Sequence, residues 1–384
     1  MRPIAQSFSV PYEYKLHFTK DLFNVGNPLF KDILNAYKTN ESIKLLFIID
    51  DGVSENHRDL LNAIVAYCRS YRQHLEHTES IVIKGGEHCK NEHQEVERVL
   101  KAINDRHIDR HSFVIAIGGG ALIDMVGYAA AIAHRGVKLI RIPTTVLSQN
   151  DSAVGVKNSI NLFEKKNFLG TFAPPYAIIN DIDFLSTLEQ RDWIAGVAEA
   201  IKVSLIKDKT FFEDIENNAN GLHVREMEPM QNLIYRCAEI HMHHIAQGGD
   251  PFESGSSRPL DFGHWAAHKL EQMSNYGLRH GEAVAKGIAL DVTYAYLIGM
   301  ISEKILKRIL DLMERIGFDL HIPVDSNQEM DELLLGLKEF QEHLGGELCI
   351  TLITDIGKQQ NVNTIDLEVM KSAVNHLNTL CQLT

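Results

Sequence analysis

The sequence lacks the features that mark secreted, membrane-spanning and nucleic-acid-binding proteins. Its five scattered cysteines form no CxxC pair and are typical of reduced thiols; they are Cys68, Cys89, Cys237, Cys349 and Cys381. It has no apolar run of the ~18 residues that a membrane span needs, and no apolar signal segment at its N-terminus. The formal net charge of −13 argues against nucleic acid or an anionic membrane as a general partner. We therefore expect a cytoplasmic protein.

The first half of the chain alternates apolar, β-branched runs with stretches of helical spacing. A length of 384 residues predicts two domains. The predicted strands are 44–50, 80–86, 113–120 and 137–143, and the predicted helices between them are 55–75, 91–105 and 121–134. Such alternation predicts βαβ units and a mostly parallel sheet.

The second half is predicted to be largely helical. Residues 157–180 predict a hairpin and one more strand, and the strand pattern then nearly disappears after Leu185. Helical periodicity follows in 188–207, 226–246, 264–274, 280–299, 302–316, 329–342 and 364–380. Only 348–353 is apolar and β-branched. The expected fold is a Rossmann-like α/β domain over residues 1–185 followed by an all-α domain over 186–384.

A glycine-rich turn follows one of the predicted strands, in FVIAIGGGALID. Three consecutive glycines, Gly118 to Gly120, can bring backbone N–H groups close to a phosphate at a helix N-terminus, and a dinucleotide pyrophosphate is the natural guest. The pattern is not GxGxxG, so a tight turn that only packs a helix is an equal alternative. Asp50 suits either a ribose hydroxyl or the cap of the next helix. Glu87 and Lys90 are equally ambiguous.

Histidines and a carboxylate suggest a metal site. LDFGHWAAHKLE places His264 and His268 four residues apart, on one helical face, and RHGEAVAKG supplies His280. A catalytic zinc site needs three protein ligands and an open position. His264 and His280 are candidates, and Glu199 is the best upstream carboxylate. Each also has an ordinary alternative, because Glu199 and Lys202 are spaced for a helix ion pair and most histidines bind no metal.

A run of histidines at 241–244, HMHH, also invites a metal interpretation. Adjacent helical positions point in different directions, so a solvated face is the better prediction there. A serine or cysteine nucleophile is a poorer hypothesis for this chain, because neither residue type occurs in a nucleophile-elbow context.

Five motifs occur in a fixed order along the middle of the chain. They are RGVKLIRIPTTVLSQNDSAVGVKNSIN, EKKNFLGTFAPP, DFLSTLEQRDWIAGVAEAIK, LDFGHWAAHKLE and HGEAVAKG. Together they resemble 3-dehydroquinate synthase and the wider sugar phosphate cyclase family, from about Asp50 to Gly357. The resemblance implies an NAD-binding domain, a helical domain and a divalent metal, zinc or cobalt. In that family NAD transiently oxidises a ring hydroxyl, phosphate is eliminated, the ketone is reduced back, and the opened sugar closes by an aldol step.

The resemblance also implies roles for individual residues. The implied metal ligands are Glu199, His264 and His280. The implied NAD contacts are Asp50, Glu87, Lys90, Gly119, Gly120, Asp124, Thr144, Thr145, Asp151, Lys166 and Thr187. The implied substrate residues are Lys157, Asn167 and His268 for the phosphate, Lys202 near the hydroxyls, and Arg135 from the other subunit of a homodimer. Lys157, Lys202, His268 and Asp261 form the expected catalytic set.

Several positions depart from the dehydroquinate synthase pattern. Val156 replaces a glycine, Asp261 replaces a substrate-contacting amide, and Ser257 stands where an arginine should grip the substrate carboxylate. His241 or Met242 replaces a lysine, and FQE at 340–342 replaces DKK. Lost cations and an added carboxylate make a substrate carboxylate costly to bind. Residues 340–353 also look more like those of the valiolone-forming cyclases than like dehydroquinate synthase.

The departures favour sedoheptulose 7-phosphate as the substrate and a valiolone-type cyclitol as the product. Arg258, one place from Ser257, would restore a carboxylate clamp after a small backbone shift. Authentic 3-dehydroquinate synthase, acting on 3-deoxy-arabino-heptulosonate 7-phosphate, is therefore the first alternative. A metal-dependent polyol dehydrogenase is the second, and a binding protein on a decayed cyclase scaffold is the third.

Overall fold

The computed structural model describes residues 3–38, 41–163, 165–248, 252 and 259–382. The chain forms two compact units. The first consists of the chain up to Thr144 together with Gly155–Phe184, and the second consists of Thr145–Val154 together with the chain from Leu185 onward.

The first unit contains a six-stranded parallel sheet and an antiparallel hairpin. The strands, in chain order, are β1 Lys15–Thr19, β2 Ile43–Asp50, β3 Leu75–Ile83, β4 Phe113–Gly118, β5 Lys138–Pro143, β6 Lys157–Leu162, β7 Lys165–Phe172 and β8 Ala177–Asp181. The sheet order is β1-β8-β5-β4-β2-β3, and β6 pairs with β7. The parallel sheet and the hairpin are confirmed, whereas β1 was not predicted, because KLHFT is short and only partly buried.

Helices connect the strands. They are α1 Leu29–Asn35, α2 Asp51–Asn56, α3 Leu60–Ser70, α4 His88–Asn91, α5 His93–Asp105 and α6 Gly120–Ile132. Of these, α3, α5 and α6 lie within or close to the predicted ranges, whereas α1, α2 and α4 were not predicted as separate helices. The central strands are buried along nearly their whole length, so their side chains form one core with the helices, in which Phe30, Phe47 and Tyr67 are fully enclosed. Strands that are covered on both faces have continuous apolar sequences, which is why these strands could be predicted from the sequence.

The second unit is mainly helical. Its helices are α7 Gln190–Lys207, α8 Lys209–Asn217, α9 Ala219–His223, α10 Met227–Gln247, α11 His264–Met273, α12 His280–Leu297, α13 Glu303–Ile316, α14 Asn327–His343 and α15 Leu367–Cys381. A hairpin of β9 Ile350–Asp355 and β10 Lys358–Val362 completes it. The segment at 348–353 is therefore confirmed as a strand, while α8, α9 and β10 were not predicted. No helix in the described part of the chain is long and apolar enough to cross a lipid bilayer.

Thr145–Val154 packs in the second unit, although the sequence had placed it in the first domain. Its Ser148–Ser152 turn lies against α7 and α10. The amide of Asn150 donates a 2.7 Å hydrogen bond to the carbonyl of Gly196. A Cβ atom at Gly196 would lie 2.4 Å from the backbone nitrogen of Leu147, so only glycine permits this contact. The correction matters because Asp151 thereby belongs to the helical unit.

Candidate active site

Glu199, His264 and His280 meet in the second unit. Glu199 lies in the middle of α7, and the two histidines are the first residues of α11 and α12. The Nε2 atoms of His264 and His280 lie 3.8 and 3.6 Å from Oε1 of Glu199. Two ligands of a tetrahedral zinc ion with bonds of ~2.1 Å are roughly 3.4 Å apart, so this spacing is close to what a metal requires.

Glycines allow the three helices to approach so closely. Gly263 has a left-handed φ of 77°, which ends the preceding turn and starts α11 at His264. A Cβ atom at Gly287 would lie 2.0 Å from the carbonyl oxygen of Gly263, and one at Gly281 would lie 2.0 Å from that of Ala195. These contacts bring the start of α12 against both α11 and α7.

Both histidines are held with Nδ1 turned away from Glu199. Nδ1 of His264 lies 3.1 Å from the carbonyl oxygen of Phe262, and Nδ1 of His280 lies 3.2 Å from Oε2 of Glu271. These acceptors favour the Nδ1–H tautomer, which leaves a lone pair on each Nε2. Burial lowers the pKa of His264 well below its usual value, and the charges of Lys202, His268 and His280 lower it further. His264 is therefore neutral at pH 7, as a metal ligand must be.

Glu199 is the buried acceptor that a cation would satisfy. Its side chain is fully buried, and within the described residues neither carboxylate oxygen accepts a hydrogen bond of normal geometry. Its close polar neighbours there are the two histidines and the ammonium of Lys202, which contacts Oε2. A buried carboxylate with unused lone pairs is costly unless a cation completes it. The residues present therefore fit a divalent metal of the two-histidine, one-glutamate type.

Lys202 is a buried cation among carboxylates. Burial alone would lower its pKa, but the charges of Glu199, Asp151 and Asp261 outweigh burial and raise it. The sequence left open an ordinary ion pair of Glu199 with Lys202. The pair exists, but both side chains are almost inaccessible, so it is not a surface contact.

His241 pairs with Asp151 beside this cluster. Its Nδ1 lies 2.9 Å from Oδ1 of Asp151, and its side chain is 9% exposed. Burial would raise the pKa of Asp151, but the charges of His241 and Lys202 lower it overall. The prediction of a solvated face at 241–244 is therefore wrong for His241, because His241 is buried against the half-buried carboxylate of Asp151, whereas His243 is exposed.

His268 and Asp261 complete the described part of the site. The His268 ring is stacked on that of His280 with centroids 6.1 Å apart, and it lies edge-on to His264 at 5.5 Å. His268, Glu271 and His280 form a second group whose ligand atoms lie within 4.8 Å of one another. Asp261 ends the short turn Pro259–Asp261 before α11. Ser257 and Arg258 lie outside the described residues.

The predicted NAD residues of the first unit include a polar cluster around Lys90. Its ammonium lies 2.8 Å from Oδ2 of Asp124 and 3.2 Å from Oγ of Ser159, and it also contacts Oδ1 of Asn167. Asn167 adopts a positive φ of 54° on β7. The structure thus brings Asn167, predicted for the substrate phosphate, together with two residues predicted for NAD.

The glycine turn and Asp50 occupy neighbouring strand ends. Gly119 precedes α6 in an extended conformation, and no described side chain caps that helix, so its first amides suit an anion. Asp50 caps α2, since its Oδ1 accepts a 2.9 Å hydrogen bond from the amide of Gly52. A Cβ atom at Gly85 would lie 2.0 Å from the Asp50 carboxylate. The capping alternative is therefore realised, and the ribose contact stays a prediction.

The remaining predicted residues are distributed over both units. In the first, Glu87 accepts a hydrogen bond from Asn161, Thr144 donates its amide to Gly118, and Lys157, Lys166 and Arg135 lie at or near the surface. In the second, Thr145 hydrogen-bonds to Ser148, and Thr187 is exposed.

Sequence reasoning missed three contacts in and around the candidate site. Glu271 contacts His280, His241 contacts Asp151, and Asp291 accepts hydrogen bonds from the amide of Gly263 at 3.1 Å and the indole of Trp265 at 2.9 Å. Glu271 follows His264 by seven residues, which is two helical turns on the same face, so its spacing offered a signal. The other two contacts join distant segments and leave no local pattern.

Comparison with known proteins identifies the family. The model of the 3-dehydroquinate synthase N-terminal domain matches residues 80–195, and that of its C-terminal domain matches residues 196–339. A 3-dehydroquinate synthase of Shewanella frigidimarina is 30% identical over 362 residues, which cover 94% of this chain and 96% of the relative. The chain belongs to the 3-dehydroquinate synthase family. The resemblance in the sequence is thereby confirmed, as is the enzyme class, a carbon–oxygen lyase.

Solved structures of similar fold extend beyond 3-dehydroquinate synthase. The 2-epi-5-epi-valiolone synthase ValA of Streptomyces hygroscopicus subsp. jinggangensis, solved with NAD⁺ and Zn²⁺ bound, superimposes with a TM-score of 0.87 at 28% identity. The match covers 98% of this chain and all of that one. A probable glycerol dehydrogenase of Sinorhizobium meliloti superimposes with a TM-score of 0.63 at 16% identity, which shows the fold alone. The predicted fold, a Rossmann-like sheet followed by a helical domain, is confirmed.

Proposed function

We propose that this sugar phosphate cyclase converts sedoheptulose 7-phosphate into a valiolone-type cyclitol, using NAD and a divalent metal. The observation that carries the proposal is the negative charge of Asp261, which stands where the family pattern has a neutral amide and which helps to raise the pKa of Lys202. Lys202 is already attracted to Glu199 and Asp151, and Asp261 adds a third carboxylate to the same ammonium. Compared with the amide of the family pattern, Asp261 adds one negative charge, which would repel a substrate carboxylate but not a substrate hydroxyl.

The chain's own residues suit a polyhydroxylated sugar phosphate. The ammonium of Lys202 can donate hydrogen bonds to substrate hydroxyls, and Asp261 can accept one, which the amide oxygen of the family pattern would do more weakly. His268 and Lys157 are assigned to the phosphate. Lys157 would supply positive charge for an anionic substrate, which a chain of net charge −13 otherwise lacks.

The cofactor residues follow from the sites already described. Glu199, His264 and His280 would hold the metal, and the turn at Gly119 and Gly120 with the Lys90 cluster would hold NAD. When bound, NAD supplies reversible hydride transfer and the metal supplies Lewis acidity toward the substrate oxygens. The protein's part is to fix one flexible sugar through successive steps and to keep His264 neutral for its role.

Arg135 is assigned to the substrate phosphate of the partner subunit, so the enzyme is proposed to be a homodimer. His134 and Arg135 both have positive φ values, 50° and 62°, and they precede Gly136 at 116°. Two consecutive non-glycine residues with positive φ cost free energy, and such strained turns are concentrated at functional sites. Arg135 is exposed on this turn. The cytoplasmic location stays a prediction.

The second candidate is 3-dehydroquinate synthase itself. It is favoured by the Shewanella frigidimarina relative, whose identity of 30% extends over nearly the whole chain. Its substrate, 3-deoxy-arabino-heptulosonate 7-phosphate, carries the carboxylate that the Asp261 argument disfavours. Both candidates use the same metal and NAD residues, so only the substrate separates them.

Offering both sugars to the purified enzyme with NAD and Co²⁺ tests the proposal. Phosphate release is measured for each, together with absorbance at the NADH band. We expect phosphate from sedoheptulose 7-phosphate with no net NADH. Phosphate from the keto acid alone would establish dehydroquinate synthase activity instead, and NADH formed in proportion to an added polyol would indicate a dehydrogenase.

A further inference from the structure

Glu271 contacts His280, a candidate metal ligand, at the ring nitrogen that does not face Glu199. Its Oε2 lies 3.2 Å from Nδ1 of His280, while Nε2 of the same ring points toward Glu199 at 3.6 Å. Glu271 lies on α11 and His280 begins α12, so the contact joins the two helices that carry the histidines. The Glu271 side chain is 4% exposed.

We propose that Glu271 is a positioning residue for the metal site, which accepts the Nδ1–H of His280 and thereby directs Nε2 toward Glu199. This rests on the metal role of Glu199, His264 and His280 proposed above. A carboxylate behind a histidine fixes its tautomer and ring orientation and increases the basicity of the coordinating nitrogen. His264 has a neutral acceptor in this position, the carbonyl of Phe262. The two histidine ligands therefore differ, and His280 is the stronger donor.

The alternative is that Glu271 binds the metal directly. His268, Glu271 and His280 form a group of ligand atoms as compact as that of Glu199, His264 and His280. A metal there would use Nδ1 of His280, whereas the first group uses Nε2. Glu199 decides between them, because among the described residues its buried oxygens would have no cation other than Lys202 if the metal bound in the second group. Glu271 is thus assigned to hydrogen bonding.

Glu271→Gln, which keeps the shape and removes the charge, tests the assignment. The control is Glu339→Gln, because Glu339 also contacts α11, through Lys269 at 3.0 Å, but does not touch His280. Glu199→Gln marks the loss of a direct ligand. Co²⁺ affinity is measured by competition with a chelator, and the visible Co²⁺ spectrum reports ligand geometry. Thermal unfolding of the metal-free proteins reports folding separately.

We expect Glu271→Gln to weaken Co²⁺ binding by about 10–100-fold and to shift the visible bands, with one ion still bound per chain. Its metal-free unfolding temperature should stay close to that of the wild type, and Glu339→Gln should bind Co²⁺ normally. Glu271→Asp, which retains the charge, should recover part of the affinity. Wild-type affinity and spectrum in Glu271→Gln would overturn the assignment.

Two further outcomes separate this inference from the proposed metal site. If Glu271→Gln loses Co²⁺ as completely as Glu199→Gln does, Glu271 is a ligand and the positioning role is wrong. If Co²⁺ binds equally well to wild type and Glu199→Gln, the proposed ligand set itself is wrong. Imidazole ¹⁵N spectra of the wild-type protein give an independent measurement, since the inference requires His280 to carry its proton on Nδ1; a proton on Nε2 would overturn it without any variant.

Discussion

Lys202 follows Glu199 by one turn of α7, and its ammonium contacts the Glu199 carboxylate in an ion pair that is almost completely buried. Each partner also has a second interaction. Glu199 is a candidate ligand for a metal, and Lys202 interacts electrostatically with the carboxylates of Asp151 and Asp261. In the metal-free protein Lys202 thus interacts with all three carboxylates, although Asp151 also pairs with His241. The first prediction follows from this.

Replacing Lys202 with methionine should destabilise the metal-free protein by about 3–5 kcal/mol, because it leaves the fully buried carboxylate of Glu199 without its cation. Lys269→Met is the matched control, since Lys269 is also buried but its partner Glu339 is 43% exposed and can be hydrated. Denaturant unfolding of both variants measures the difference. Equal losses would mean that the carboxylates around Lys202 do not depend on its charge.

His280→Ala should abolish both metal binding and turnover. The ring supplies one of three ligands, so the loss of affinity should exceed the ~10–100-fold typical of outer positions. NAD binding, assigned to residues of the first unit, should persist in the same variant and shows that it is folded. Phosphate release at the wild-type rate by this variant would contradict the metal assignment. If the wild type shows no turnover and His280→Ala binds ligand as well as the wild type does, the binding-protein alternative is supported.

Asp261→Asn should shift substrate preference toward the keto acid. Removing one of the three negative charges around Lys202 should lower KM for 3-deoxy-arabino-heptulosonate 7-phosphate by about 10-fold, from the size of charge interactions in a partly buried site. Turnover of sedoheptulose 7-phosphate should fall. The exposed Asp311→Asn serves as the control for the change in net charge. A KM that does not change would show that Asp261 takes no part in discrimination.

Asp291 should give the protein a distinct pH dependence. Burial raises its pKa to about 7 from an ordinary value of 3.8, although hydrogen bonds from Trp265 and Gly263 lower it. Between these values the unfolded chain releases a proton that the folded chain retains. The stabilisation that Asp291 contributes is therefore complete below about pH 3.8 and declines as the pH rises toward 7. Above pH 7 it no longer changes with pH.

The matched variant for this effect is Asp291→Asn. The variant loses one acceptor and is less stable at low pH, but it has no carboxyl group to ionise. The stability difference between wild type and variant should shrink by up to about 4 kcal/mol from pH 4 to pH 7. Unfolding by denaturant at several pH values measures this. Parallel curves for the two proteins would mean that Asp291 is ionised throughout.

Mixing two inactive variants tests whether Arg135 acts across a dimer. Arg135→Ala removes the residue supplied to the partner, and His280→Ala removes a ligand from its own subunit. Random re-association gives half heterodimers, each with one complete site, so about a quarter of wild-type activity should return. No recovery after confirmed subunit exchange would mean that Arg135 serves its own subunit.

The sequence predicts those parts of the fold that have a local cause. β2, β4 and β5 were found because strands covered on both faces are apolar throughout, and the long helices because their buried faces repeat. β1 was missed because KLHFT, an edge strand, is partly exposed and takes its place only by pairing with β8. The Ser148–Ser152 turn was assigned to the wrong unit because its contacts, such as that of Asn150 with Gly196, are not local.

The candidate site was predictable only in part. Ordered motifs located Glu199, His264 and His280, and the structure brings them together. The contacts that hold the two histidines in place, from Glu271 to His280 and from Asp291 to the start of α11, depend on which helices meet, and single-sequence patterns do not contain that information. The burial of Lys202 was equally invisible, because a three-residue spacing from Glu199 is the same on a surface helix.

The strand order has a consequence for how the chain is made. Among the described strands β1 pairs only with β8, Lys15 opposite Ala177, so β1 has no partner until the last strand of its sheet is synthesised. During that interval β4 and β5 can pair with each other, but the edge of β5 that β8 will occupy stays open. Such distant pairing slows folding and leaves a strand edge available to other chains. Truncation before Ala177 should therefore yield aggregating protein rather than a smaller folded domain.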